Sequence, residues 1–304
     1  MSLAPEAIQA ALQRVTVVSV THHSAHCVPA MARTLSPFAQ AIVVDNASDD
    51  DTVAQLAARI PQARVIASPV NLGFGVANNR ALDTVGTPYA LLLNPDCHIE
   101  PEAVAQLVAT ADAWPDAAII APQLLDAQGR PELNYGWLRW HWAGRTAAAQ
   151  GPLCVGHACA AAWLLRCDDR AWRFDPGFFL YYEDEDLCAR ALAARAPVII
   201  EPAATAVHAN RGSVRGRSPA RAEWLRGYHH SRSKVRFQCK HRGRSEAARV
   251  RRRGLWSGAL EMLARVLLLN PRLMARSAGR WWGLWTARDQ FTLAPVPPSA
   301  HQSS

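Results

Sequence analysis

The stretch Tyr89-Ala90-Leu91-Leu92-Leu93-Asn94-Pro95-Asp96 decides the fold class of this 304-residue chain. Five apolar residues in succession suit a short strand buried on both faces, the pattern of a mostly parallel sheet. The strand must stop at Asn94, because Pro95 holds its predecessor extended and brings no N–H to a ladder. Asp96 then sits just past the carboxyl end of a central strand, the edge where open α/β sheets bind their ligands. A plain Asx-Pro turn has the same sequence, so the neighbouring segments must choose between a site and a turn.

Upstream, residues 14–20 (RVTVVSV) predict a first strand, followed by Thr21-His22-His23-Ser24 and a helix to about Leu35. Residues 41–44 predict a second strand that ends in Asp45-Asn46-Ala47-Ser48. The next helix runs to about Ile60, with Ser48 as its cap and Asp51 in its first turn. Residues 64–67 are a third strand, and Asn71-Leu72-Gly73-Phe74-Gly75 opens a helix to about Thr84. This βαβ spacing predicts an α/β fold with a doubly wound, mostly parallel sheet. Downstream come a helix over 101–114, a strand over 117–121 and a turn-rich surface excursion over 123–151. Apolar residues 160–165 follow. The aromatic run 178–182 then leads into Glu183-Asp184-Glu185-Asp186 and a helix, and two short strands are expected at 198–200 and 205–208.

Half the residues are hydrophobic, enough for a sizeable core, and the net charge of +8 with a pI near 9.5 points to a polyanionic partner. The charge is uneven. Residues 211–253 are dense in Arg, and 255–269 and 272–285 are amphipathic helical stretches carrying Trp256, Trp281, Trp282 and Trp285. The expected organisation is an α/β domain over 1–210, which carries the candidate site, a basic helical appendage over 211–294 and a disordered tail over 295–304. Seven Cys without framework spacing favour a reducing cytosol. No signal peptide is visible in residues 1–14, and no run reaches ~18 apolar residues, so a cytoplasmic or peripheral protein is expected.

Asp45 follows a strand end as Asp96 does, and in a parallel sheet both carboxylates project over one edge. There an acid can meet a nucleobase, a ribose or a metal, or simply cap the next helix. Asn71 to Arg80 lacks the G-x-G-x-x-G spacing, so its two Gly serve either close approach of a ligand or a tight turn. Asn78 and Asn79 in the first helical turns are placed to face the ligand edge. Four carboxylates at 183–186 partly answer the helix dipole, yet the aromatic residues before them also suit a carboxylate of raised proton affinity, fit for general-base work. His22, His23, His26 and Cys27, or Cys154, His157 and Cys159, lack the second pair that structural zinc needs.

Taken together, these segments resemble the inverting family 2 glycosyltransferases of GT-A fold, especially their rhamnosyltransferase-like bacterial branch. The resemblance is carried by Val43-Val44-Asp45-Asn46-Ala47-Ser48, by Asn71-Leu72-Gly73-Phe74-Gly75 with Ala77-Asn78-Asn79, and by 91–96. Further on it is carried by Phe174-Asp175, Phe178-Phe179-Leu180-Tyr181 with Glu183-Asp184, Asp186-Leu187-Cys188 and Val207-His208. It implies a GT-A (Rossmann-like) sheet, to which the C-terminal basic helical appendage is added. Asp184 would be the catalytic base. Asp96 would reach the Mg²⁺ or Mn²⁺ that bridges the donor diphosphate, with His208 as a second ligand. Thr21, Asp45, Asn71, Gly73, Asn78, Asn79 and Asn94 would form the donor site.

The resemblance further implies a nucleotide-sugar donor, dTDP-rhamnose being the branch's guess. The acceptor would be a glycan or lipid-linked hydroxyl in bacterial surface-polysaccharide synthesis at the inner face of the cytoplasmic membrane. Three departures stand out. Thr21-His22-His23 replaces Thr-Tyr-Asn, a Gly-Ala pair is blurred into residues 156–161, and Asn94 replaces a carboxylate. A sugar nucleotidyltransferase would want a Gly-rich basic loop where 21–24 stand. A nucleic-acid-binding role for 211–253 would want more stacking aromatics than Trp224, Tyr228 and Phe237. An anionic membrane surface suits the Arg-rich and Trp-bearing stretches better.

Overall fold

The computed structural model describes residues 4–138, 147–209, 218–267 and 271–291. The chain divides into two compact units, Met1–Phe179 with Glu183–Arg215, and Leu180–Tyr182 with Gly216–Ser304.

The first unit opens with α1 (Pro5–Leu12), β1 (Val15–Thr21), α2 (Val28–Leu35), β2 (Ala41–Asn46), α3 (Thr52–Arg59), β3 (Ala63–Ser68), α4 (Phe74–Leu82) and β4 (Tyr89–Leu93). β1 pairs in parallel with β2 and β4, and β2 with β3. The five residues of β4 are at most 5% exposed, as a strand covered on both faces requires. Their alternation feeds two cores. Leu91 and Leu93 join Val17, Leu12, Met31, Leu35 and Leu107, whereas Ala90 and Leu92 join Val18, Ala81, Trp163 and Leu187.

The unit continues through β5 (Cys97–Ile99), α5 (Pro101–Ala113), β6 (Ile119–Leu125), β7 (Tyr135–Gly136), β8 (Leu153–Val155), β9 (His157–Ala158), β10 (Ala162–Arg166), α6 (Glu183–Ala193) and β11 (Val198–His208). Among the described residues the main sheet runs β3-β2-β1-β4-β10-β6-β11-β5, with β8 beside β11, and β7 and β9 form a separate ribbon. β6 and β11 are parallel, and β10 enters antiparallel between β4 and β6. The two strands expected at 198–200 and 205–208 are one strand. Its register against β6 shifts between Glu201 and Thr205, around Pro202, which has no N–H to give.

β4 ends as its sequence dictates. Asn94 N–H donates to Ala161 O at 2.9 Å, Pro95 follows, and Cys97 N–H closes a turn onto Asn94 O at 3.0 Å. The reversed chain forms β5, which pairs antiparallel with β11 so that Cys97 stands opposite His208.

The second unit consists of α7 (Pro219–Arg242), α8 (Arg244–Leu267) and α9 (Pro271–Thr286) around Val235, Ala247, Leu284 and Ala287. α7 and α9 approach backbone to backbone. A Cβ on Gly227 would lie 2.2 Å from Arg276 O, and one on Gly279 would lie 2.0 Å from Trp224 O. Residues 180–182 belong to this unit, where Ser233 Oγ donates to Leu180 O at 2.8 Å and Tyr182 packs on His230 and Phe237. The tail expected at 295–304 lies outside the described residues.

Candidate active site

Asp96 and His208 come from opposite ends of the sequence and meet because β5 pairs with β11. Their side chains are 3% and 10% exposed, and Asp96 Oδ1 lies 3.7 Å from His208 Nε2. Asp96, Cys97 and His208 offer donor atoms all within 4.8 Å of one another. Burial, then the charge of Asp96, pushes the Cys97 thiol well above its usual range, so it stays protonated. The remaining pair, a carboxylate and an imidazole, is a donor set that fits a divalent ion such as Mn²⁺. Glu132 adds a second carboxylate, its Oε2 3.7 Å from His208 Nδ1.

Asp184 stands in the first turn of α6. Its side chain is partly exposed, yet desolvation by the surrounding protein raises its pKa, against the backbone N–H groups of Glu185 and Ala160 that lower it. Buried Glu183 is raised much further, first by burial and then by the charge of Asp184. Both carboxyls are thus raised, and the upward push is stronger on buried Glu183 than on Asp184. Asp186 is fully buried and accepts from Arg190 Nε at 2.9 Å, which assigns it a structural task. The blurred segment 156–161 packs here: Ala160 and His157 act on Asp184, and the buried Cys159 thiol is raised to about 12 by burial, then by Asp184. Cys159 also feels Glu132, as does Cys97. The Cys159 thiol thus feels both the candidate base and the acid that lies beside His208.

The side chains expected at the donor site are held by protein partners. Thr21 is fully buried and its hydroxyl donates to Asp45 Oδ1 at 3.0 Å, so its side chain faces the protein. Asp45 is 2% exposed and accepts from Thr21 and from Ser48 N–H and Oγ, the turn-capping alternative of its sequence. Asn78 donates to Phe74 O one turn back, and Asn79 exchanges two hydrogen bonds with the Phe174 backbone. Asn71 Oδ1 accepts from Gly73 N–H and from Asn46 Nδ2.

Gly73 has φ +79°, and a Cβ there would lie 2.1 Å from Phe179 O, which also accepts from Phe74 N–H at 3.0 Å. The glycine lets one protein segment approach another, and no ligand role is needed to explain it. Asn94 stays at the strand end, partly exposed. The His22 and His23 rings stack at 4.0 Å, with His22 Nδ1 on Asn46 O at 2.9 Å and His23 Nε2 3.1 Å from Asp49. Sequence reasoning gives no role to Asn46 or Glu132 and reads Glu183 only as one of four adjacent carboxylates. Of the first two, Asn46 has a visible signal, its place beside Asp45 at a strand end.

Residues 24–169 match the family model described as "Glycosyl transferase family 2". The matched stretch is a little under half of the chain, and Asp184 and His208 lie beyond it. The chain is similar to an N-acetylglucosaminyl-diphospho-decaprenol L-rhamnosyltransferase of Mycobacterium tuberculosis, 27% identical over 214 residues that cover 59% of this chain and 69% of the relative. It is also similar in fold to a mannosyltransferase of Pyrobaculum calidifontis solved with GDP-Man and Mn²⁺. That match has a TM-score of 0.52 and 15% identity, covering 92% of this chain and 87% of the other. A crystal structure of GalNAc-T7 with UDP, GalNAc and Mn²⁺ gives a TM-score of 0.50 at 12% identity, covering 75% of this chain but only half of that one. Both are GT-A glycosyltransferases, so this chain has the GT-A fold that its sequence predicts.

Gly73→Ala is expected to cost at least ~2 kcal/mol in chemical denaturation, from left-handed strain and the collision with Phe179 O. Glu183→Gln tests the buried acid by linkage. The native pKa is raised above the ordinary 4.5, so the native protein loses stability relative to Glu183→Gln as pH rises from that value through the folded pKa. Below pH 4.5 the difference between the two proteins should stop changing with pH.

Proposed function

We propose that this protein is an inverting glycosyltransferase that moves a sugar from a nucleotide-sugar donor to a hydroxyl of a glycan or lipid-linked acceptor. The observation that carries this reading is the convergence of a raised, ionisable carboxylate, Asp184, and a divalent-ion donor pair, Asp96 with His208, around Cys97 and Cys159. The rhamnosyl transfer named for the mycobacterial relative makes dTDP-rhamnose the first donor to try, with bacterial surface polysaccharide as the setting.

Departure of a nucleoside diphosphate leaves negative charge on the leaving group. Mg²⁺ or Mn²⁺ held by Asp96 and His208 would supply the neutralising positive charge. Asn94, at the end of β4, belongs to the donor side. Asp45 acts there through the turn it caps. Asp184, whose proton affinity is raised by desolvation, takes the acceptor hydroxyl proton in its ionised form. In-line attack opposite the leaving group inverts the anomeric carbon.

A second part of the reading concerns the helical unit. Among the described residues no helix is long and apolar enough to cross a membrane. On α8, Arg252 and Arg253 lead at helical spacing to Trp256 and Leu260, which are 74% and 69% exposed. Trp282 and Trp285 of α9 are also exposed. Cations beside interfacial Trp are the chemistry of an anionic phospholipid surface, which we propose as the occupant of this face. Nucleic acid fits less well, because Trp224, Tyr228 and Phe237 are few stacking aromatics for the length of the Arg-rich stretch.

Asp184→Asn should retain donor binding in calorimetry while transfer, scored as nucleoside diphosphate release over a panel of nucleotide sugars, falls roughly 10²–10⁴-fold. The native activity should fall on the acid side, through an apparent pKa above the 3.8 of an ordinary aspartate. Unchanged transfer in this variant would overturn the assignment of the base. In a sedimentation assay the full chain should pellet with phosphatidylglycerol vesicles and detach in high salt. A Trp256→Ala/Leu260→Ala protein should bind them more weakly, and equal binding would refute this face.

A further inference from the structure

We propose that Glu132 is a positioning residue for the metal site: it takes a hydrogen bond from His208 Nδ1–H and so commits the Nε2 lone pair to the metal. This rests on the reading above, that Asp96 and His208 hold a divalent cation.

A neutral imidazole carries one N–H, and the partner of each ring nitrogen decides where it sits. Here the two nitrogens face two different carboxylates. Nε2 lies 3.7 Å from Asp96 Oδ1, and Nδ1 lies 3.7 Å from Glu132 Oε2. His208 is 8% exposed, and its Nδ1 is sealed from solvent with no hydrogen-bond partner among the described residues. A side-chain shift of under about 1 Å brings Glu132 into hydrogen-bond range of that nitrogen. With the proton there, Nε2 faces Asp96 as a lone pair, the form a metal requires. Carboxylate–histidine–metal arrangements fix tautomer and ring orientation in this way.

Glu132 is delivered to this point by a built hairpin. Asp126 N–H donates to Arg130 O, Leu125 bridges Pro131, and Glu132 N–H returns to Leu124 O at 2.8 Å. Gln123 Nε2 holds Glu132 O at 2.9 Å, and Asn134 Nδ2 donates to Glu132 Oε2 at 3.2 Å. The carboxylate is thus anchored through its own backbone and through one of its oxygens. It is an outer neighbour of the site. Among the described residues, the cluster whose donor atoms lie within 4.8 Å of one another contains Asp96, Cys97 and His208 and leaves Glu132 out.

The test uses the full chain with Mn²⁺ alone as the calorimetric probe. The His208 tautomer is read separately by long-range proton–nitrogen NMR on the metal-free protein, assigned with His208→Gln. Glu132→Ala should weaken Mn²⁺ binding roughly 10–100-fold at unchanged stoichiometry and move the His208 proton toward Nε2. Glu132→Gln keeps an acceptor without the charge, so it should fall between that variant and the native protein. Mn²⁺ affinity within twofold of native in Glu132→Ala, with the Nδ1–H signal intact, overturns the proposal alone. Complete loss of the site in Glu132→Ala, equal to that in Asp96→Ala, makes Glu132 a direct ligand and also overturns it. Native-like Mn²⁺ binding in Asp96→Ala instead sinks the metal reading itself, and the proposal with it.

Discussion

The arrangement of the first unit depends on one constraint, the missing N–H of Pro95. β4 is hydrogen-bonded on both sides, in parallel to β1 and antiparallel to β10, and nothing in its apolar residues would end it. Pro95 cannot extend the ladder, so the chain turns, and β5 leaves in the direction that pairs it with β11. That pairing sets His208 opposite Cys97 and beside Asp96, and Ala209 N–H ties the end of β11 to Asp96 O at 3.0 Å. A residue near the end of the first third of the chain thereby finds a partner more than a hundred positions later.

The carboxylates at the start of α6 show how burial divides one chemical group among several tasks. Asp186 is paired with Arg190, burial raises Glu183 strongly, and Asp184 is raised by desolvation against backbone N–H groups that lower it. Four adjacent acids at a helix start would otherwise all have the same excuse, the helix dipole. Their different surroundings, including the 156–161 segment that reaches Asp184 through Ala160, separate them.

The Asn- and Gly-rich stretch 71–80 carries a related lesson. Its amides hold backbone groups of Phe74 and Phe174, and Gly73 makes room for Phe179 O. The stretch knits α4 to the segment that precedes α6, so its influence on the site is through the placement of that segment. Polar residues in a helix's first turns satisfy backbone groups as readily as they meet ligands, and only the position of the neighbouring chain tells the two apart.

The α/β class, the strand–helix alternation through β4 and the strand-end positions of Asp45 and Asp96 were legible in the sequence. Local rules govern them: apolar runs, β-branched residues, caps and proline. The join of 198–200 with 205–208 into one bulged strand was not legible, because its pairing with β6 supplies the continuity. Nor were the inward-facing roles of Thr21, Gly73, Asn78 and Asn79, which depend on how closely residues 45–48 and 174–179 approach. Glu132 had no signal at all, being one acid after a turn. Tertiary structure alone decided that it faces His208, since the partner of a side chain across 76 residues is set by sheet order and register, which no local pattern encodes.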